Sequence, residues 1–241
     1  MVEFGEWLCM DVLKKIPHRH FVFSIPKILR RYFLYDRKLL ADLSRCAWES
    51  LKVFLQEAVP ETDPVPGTVI AVVQTFGDFL GFNPHCHILV TDGCFYGSRG
   101  MFRVAPPLEL KKLEAIFRHR VLRMLLSRGK ITGEMVRMLS GWKHTGFNVF
   151  CGNRISPNDD TAMENLARYI IRASFSQERM QYLDQKGKVI YNNMGDQIQG
   201  LFAERVIFRI TVGLHHLNLV SLTFVGVISS VRIRRVLEGR G

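Results

Sequence analysis

The sequence has no C-x-x-C pair. Its five cysteines, Cys9, Cys46, Cys86, Cys94 and Cys151, are an odd and irregularly spaced set, which excludes a disulfide framework and a closed zinc knuckle and fits a reducing, cytoplasmic setting. No basic segment followed by an apolar one opens the chain, so no secretory signal is read at its start. No Pro-, Gly- or Ser-rich stretch is long enough to separate two independent bodies, and one main domain with appendages is expected. Acidic residues are the scarcer charge: 22 Asp and Glu against 33 Lys and Arg leave a net +11 on 241 residues, with a pI near 9.7. That excess favours a polyanionic partner, nucleic acid or a membrane surface. One uncharged run exists, the 22 residues between Arg209 and Arg232, but it contains His215, His216, Asn218 and several Ser and Thr. Buried β-structure or a poorly formed tail is expected at 210–231 rather than a membrane span, and no membrane partner is expected. With 47% hydrophobic and 23% charged side chains, the chain has the means to bury an ordinary core, which excludes disordered and fibrous classes.

Periodicity gives an order of elements. Residues 4–14 read as a short helix, and Phe21-Val-Phe-Ser-Ile25 alternates as a strand ended by Pro26. From Asp36 to Ala58, Leu39, Leu40, Leu43, Ala47, Leu51, Phe54 and Leu55 recur at helical spacing. Past Pro60, Pro64, Pro66 and Gly67, the β-branched run Thr68–Phe76 reads as a strand covered on both faces. His85–Thr91 reads as another strand, closed by Asp92-Gly93, and Cys94–Val104 as a hairpin or extended excursion. Long helical patterns follow at Leu108–Ser127 and Thr161–Ala173. The expected class is α+β, a central antiparallel sheet with packed helices.

Chemistry is suggested first by His85-Cys86-His87. Successive side chains on a strand point to opposite faces, so His85 and His87 share one face while Cys86 turns into the core. Two neighbouring imidazoles suit a divalent metal; they also read as two partly buried histidines with ordinary hydrogen bonds. If the strand ending at Phe76 pairs antiparallel with His85–Thr91, Gln74 can reach the imidazoles. Its amide oxygen is a hard ligand of the kind found at Mg²⁺ or Mn²⁺ sites that leave positions open for phosphate, with Asp78 the competing third ligand. A second constellation lies in Leu166–Arg172. Arg168 and Arg172 share one helix side, adjoined by Tyr169. A lone Tyr on such a helix reads as a core or interface residue; beside a metal it is a competent nucleophile on phosphorus, with the arginines holding phosphate.

Together, His18-Arg-His-Phe-Val-Phe-Ser-Ile-Pro26, Val73-Gln-Thr-Phe-Gly-Asp78, Asn83-Pro-His-Cys-His-Ile-Leu-Val-Thr-Asp-Gly93 and Leu166-Ala-Arg-Tyr-Ile-Ile-Arg172 with Phe175-Ser-Gln-Glu-Arg179 resemble, in order, the motifs of rolling-circle insertion-sequence transposases of the HUH (His-hydrophobe-His) tyrosine endonuclease superfamily. The resemblance covers residues 6–192. It implies a relaxase-like or replication-initiator-like fold that nicks and rejoins single-stranded DNA at transposon ends through a 5′-phosphotyrosine, with His85 and His87 as metal ligands and Tyr169 as nucleophile. The third-ligand role of Gln74 is a geometric inference, and Arg168 and Arg172 are the expected DNA contacts.

This sequence departs from that pattern in three ways. Many relatives carry a second tyrosine one helical turn before the first, where this chain has Asn165. Relatives resemble each other in a cysteine-rich zinc-binding segment ahead of the first helix, and this sequence is expected to start after the point where that segment would have ended. The final 41 residues contain six Arg and no Lys, a compositional break consistent with a frameshifted or foreign tail, so a copy truncated at both ends is expected. The corresponding division is an N-terminal part at 1–60, a catalytic core at 61–192 and a divergent tail at 193–241. Two other functional readings stand beside the transposase: an incomplete remnant that only binds DNA, and a basic RNA- or membrane-associated protein without catalysis.

Overall fold

Pro26 ends one element and begins the next. Strand β1 (His18–Ser24) alternates, with Phe21 and Phe23 1% and 0% exposed on one face. Helix α1 (Lys27–Tyr35) then starts with Pro26 as its extended N-cap. Read from sequence, Pro26 is only a strand terminator, and α1 is not expected. A proline ahead of the first turn costs a helix nothing, because the N–H it lacks has no intrahelical partner there. Leu29 and Phe33, one turn apart, are the buried face of α1. Helix α2 (Leu39–Ala58) buries the stripe expected of it, from Leu39 through Leu55.

This computed structural model describes residues 15–76 and 82–171 and, beyond them, the backbone of six strands. The helix expected at 4–14, Asp78 and the end of the helix expected at 161–173 lie outside the described residues. The fold is α+β. After α2 come β2 (Val65–Phe76), β3 (Phe82–Tyr96), β4 (Met101–Val104), α3 (Leu110–Ser127), α4 (Gly133–Ser140), β5 (Asn148–Cys151) and α5 (Asp160–Ile171). The six further strands are β6 (Met180–Leu183), β7 (Lys188–Asn193), β8 (Asp196–Phe202), β9 (Arg209–His215), β10 (Leu219–Val225) and β11 (Arg232–Ile233).

The main sheet runs β5-β1-β3-β2-β10-β9, with β4 pairing the far end of β3. Its pairings are antiparallel except β10 against β2, which is parallel; β11-β8-β7-β6 form a second, antiparallel sheet. Strand β1, from the part expected at 1–60, thus lies in one sheet with β2 and β3. Much of the uncharged stretch at 210–231 is strand, and no helix among the described residues is long and apolar enough to cross a membrane.

Register divides the sheet into two chemically different faces. Phe23 lies opposite Cys86 and Phe21 opposite Ile88, while Val73 and Ala71 flank the same pair from β2. These side chains are buried against α2 and α3: Phe117 of α3 meets Phe23 edge-on at 5.0 Å, and the Cys86 thiol lies 3.9 Å from the Ser44 hydroxyl. Each large apolar side chain taken fully out of water there contributes about 2 kcal/mol. On the opposite face, in the same register, stand His20, Val22, His85, His87, Val72 and Gln74.

Strand β3 does not close at Asp92-Gly93 as the sequence suggests; it continues to Tyr96 and turns through Gly97–Gly100 into β4. Gly93 makes this possible. Its φ is +151°, and a Cβ there would lie 2.0 Å from the Arg103 carbonyl oxygen, so only a residue without a side chain lets the two strands approach.

Candidate active site

Three strands and one helix build the site. His85 and His87 alternate with Cys86 on β3, and their ring centroids are 4.9 Å apart. Burial pushes the Cys86 thiol up to about 12, so this residue packs the core as a neutral group. Gln74 is the direct cross-strand partner of His85, and Val72 that of His87. His20 reaches His87 diagonally from β1, its Nε2 standing 2.9 Å from His87 Nδ1. Tyr169, half exposed on α5, lies with its ring centroid 5.7 Å from that of His87 and 6.2 Å from that of His20, edge-on to both.

The path that brings α5 over the histidines is held at every step. Edge strand β5 pairs with β1, and just beyond it the Gly152 N–H donates to the His20 carbonyl at 2.8 Å. Arg154 then forms an ion pair with Asp92, and Ile155 exchanges two backbone hydrogen bonds with His18. Asp159 caps the helix, its Oδ1 accepting from the Ala162 N–H at 3.0 Å. With the segment ahead of it tied to β1 and β3, the helix carries Tyr169 over His87.

Electrostatics favour the neutral imidazole at His20 and at His85. Burial pushes His20 down to about 4. Burial also lowers His85, the nearby Arg30 charge adds to this, and the hydrogen bond to the Asn83 carbonyl works the other way. A carbonyl only accepts, so the 2.7 Å contact between His85 Nδ1 and Asn83 O places the proton on Nδ1 and leaves Nε2 with a lone pair. That is the tautomer a metal-ligating histidine needs. Beside it, Asn83 Oδ1 is buried with no hydrogen-bond partner among the described residues. No group of three or more His, Cys, Asp and Glu among the described residues could hold a metal ion by itself. Two histidines with an amide from Gln74 are nevertheless a chemically sound donor set for a hard divalent cation.

Of the residues selected from sequence, His85, His87, Gln74 and Tyr169 stand over one patch of the sheet. The Arg168 side chain and all of Arg172 lie outside the described residues, as does Asp78. Two further neighbours, His20 and Arg30, are not among the site residues the sequence motifs single out. His20 belongs to a His-x-His pair of its own, His18-Arg19-His20, and the same alternation argument applied to β1 would have found it. Arg30 sits on the unexpected helix α1, and no strand pattern points to it.

No curated protein and no solved structure matches the chain. A family model described as "Putative transposase" matches residues 68–210, more than half of the sequence, from β2 through the site and α5 to the start of β9. The chain belongs to this transposase family.

Proposed function

We propose that the protein nicks and rejoins single-stranded DNA at transposon ends through a 5′-phosphotyrosine on Tyr169, with a divalent cation, Mg²⁺ or Mn²⁺, at His85, His87 and Gln74. The observation that carries this reading is the position of Tyr169, its ring 5.7 Å from that of His87 and edge-on to the histidine face. When bound, the cation neutralises phosphate oxygens and so makes phosphorus open to attack. The Tyr169 oxygen forms the new bond to phosphorus, and the bond to the 3′-oxygen breaks. The phenol proton leaves to solvent and the departing 3′-oxygen takes one up, so the ester energy is kept in the protein–DNA link for rejoining. His85, fixed by Asn83, offers Nε2 without rearrangement, and Gln74 adds a neutral oxygen that leaves coordination positions for phosphate. Excess positive charge supplies the sequence-independent part of DNA binding. On this reading the protein works in the cytoplasm, where its DNA substrate is.

The test is a denaturing gel. Incubated with Mn²⁺ and a single-stranded oligonucleotide carrying the cognate end, the protein should give an adduct that survives denaturant. Tyr169→Phe, which retains the ring, should abolish the adduct while leaving fold and DNA affinity intact. An undiminished adduct in that variant would exclude Tyr169 as nucleophile.

A further inference from the structure

His85 and His87 face the same requirement by different means. For each to offer Nε2 to a cation, its proton must be held on Nδ1. For His85 the Asn83 carbonyl does this. At the Nδ1 of His87 stands the Nε2 of His20, at 2.9 Å. The two rings are inclined by only 8°, with centroids 5.1 Å apart. That separation is the N···N distance plus the two ring radii, so the imidazoles lie edge to edge in one plane, as an N–H···N hydrogen bond requires, rather than face to face.

When both imidazoles are neutral, one proton lies between the two nitrogens, and it has two arrangements. If His20 donates, His87 carries its own proton on Nε2 and cannot bind a cation through that atom. If His87 donates, its Nδ1 is protonated and its Nε2 lone pair is available. We propose that His20 is a positioning residue that accepts the His87 Nδ1 proton and so holds His87 in the cation-binding tautomer, as the Asn83 carbonyl does for His85. This rests on the reading of His85 and His87 as a metal-binding pair. His20 is well placed to hold its partner. It is 6% exposed and His87 1% exposed, and its backbone carbonyl is pinned by the Gly152 N–H. It also presents its ring to Tyr169 at 6.2 Å, so one side chain contacts both the ligand and the residue proposed to attack.

The experiment uses the full chain and two variants, His20→Leu and His20→Gln. Leu removes the acceptor; Gln restores one through its amide oxygen and is the variant to rely on if Leu fails to fold. Long-range ¹H–¹⁵N spectra of the metal-free protein read the His87 tautomer, and Mn²⁺ calorimetry reads the consequence. In the parent protein His87 should be protonated at Nδ1. In His20→Leu that preference should be lost and Mn²⁺ affinity should fall about 10- to 100-fold, the usual effect of removing a partner behind a metal ligand. His20→Gln should recover most of both. Unchanged Mn²⁺ affinity in His20→Leu overturns the proposal, as does a parent His87 protonated at Nε2. Loss in both variants as complete as in His87→Ala overturns it too, since His20 would then be a ligand. Should the parent protein bind no Mn²⁺, the metal reading fails by itself, and the tautomer spectra still decide whether His20 holds the His87 proton.

Discussion

Arg19 Nε lies 2.7 Å from Asp92 Oδ1, and the Asp92 side chain is wholly out of solvent. Arg154 holds the other carboxylate oxygen from the segment that leads to α5. One buried carboxylate therefore ties β1, β3 and the approach to the Tyr169 helix together. Replacing it by Asn leaves two guanidinium groups without their counter-charge. Both arginines retain some access to water, so the expected loss is about 3 kcal/mol, at the lower end for breaking a buried pair. Urea unfolding of Asp92→Asn checks this. A midpoint equal to that of the parent protein would mean the carboxylate contributes nothing net.

Gly93 allows a sharper expectation. Any Cβ at that position meets the Arg103 carbonyl at 2.0 Å, and the φ of +151° is unfavourable for an L side chain. Gly93→Ala should destabilise the β3–β4 edge by more than about 4 kcal/mol, through backbone displacement and strain together. Gly100 is the control, because its φ is +63° with nothing within 4 Å of a built Cβ. Gly100→Ala should cost only about 1 kcal/mol, the conformational term alone. Thermal melts of the two variants should separate widely, and similar melting temperatures would refute the steric account.

The contrast between these two sites and the histidine pair shows what was legible in the residues. Alternation in His85-Cys86-His87 is a local rule, and it sorts imidazoles from thiol because both neighbouring strands obey it. The facing of Gln74 and His85 follows once β2 and β3 are taken as antiparallel neighbours joined by a short turn. Other features depended on distant partners. Asp92-Gly93 has the composition of a turn, and only the return of β4 makes it a strand interior. Pro26 looks like a stop because the helix it begins is short and its cap carries no Ser, Thr or Asp. The parallel pairing of β10 with β2 joins residues some 150 positions apart, and no sequence pattern announces such a partner.

Acid should loosen the β1 end of the sheet. Burial pushes His18 down to about 4 from its ordinary 6.5, against the smaller opposing effects of the Ile16 backbone and Asp92. Between those values the unfolded chain takes up a proton that the folded chain refuses. Stability present above pH 6.5 is therefore lost as pH falls toward 4, by about 3 kcal/mol in all. His18→Gln cannot titrate, so its unfolding free energy should decline less steeply over that window. Parallel slopes for the variant and the parent in urea titrations at pH 7 and pH 5 would show that His18 is not buried in its neutral form.

Arg30 should act in opposite directions on the two ligands proposed for the site. Its charge lies near enough to His85 to lower that imidazole, burial lowers its own guanidinium, and its Nε is buried with no hydrogen-bond partner among the described residues. A fixed positive charge beside a histidine pair repels a bare cation and attracts a phosphate. Arg30→Leu should therefore bind Mn²⁺ a few-fold more tightly at neutral pH. It should bind single-stranded DNA more weakly, with the log–log salt slope reduced by about 0.7, the value of one phosphate contact. Removing the charge also lets His85 protonate at a higher pH, so the acid loss of Mn²⁺ binding should move upward. Arg31, exposed beside it and lying over the Tyr32 ring at 5.0 Å, is the control, and Arg31→Leu should change Mn²⁺ binding little. Calorimetry and fluorescence anisotropy over a range of salt give both numbers. If the two affinities fall together in Arg30→Leu, the arginine is supporting the fold of this edge, and its charge has no separate part in binding.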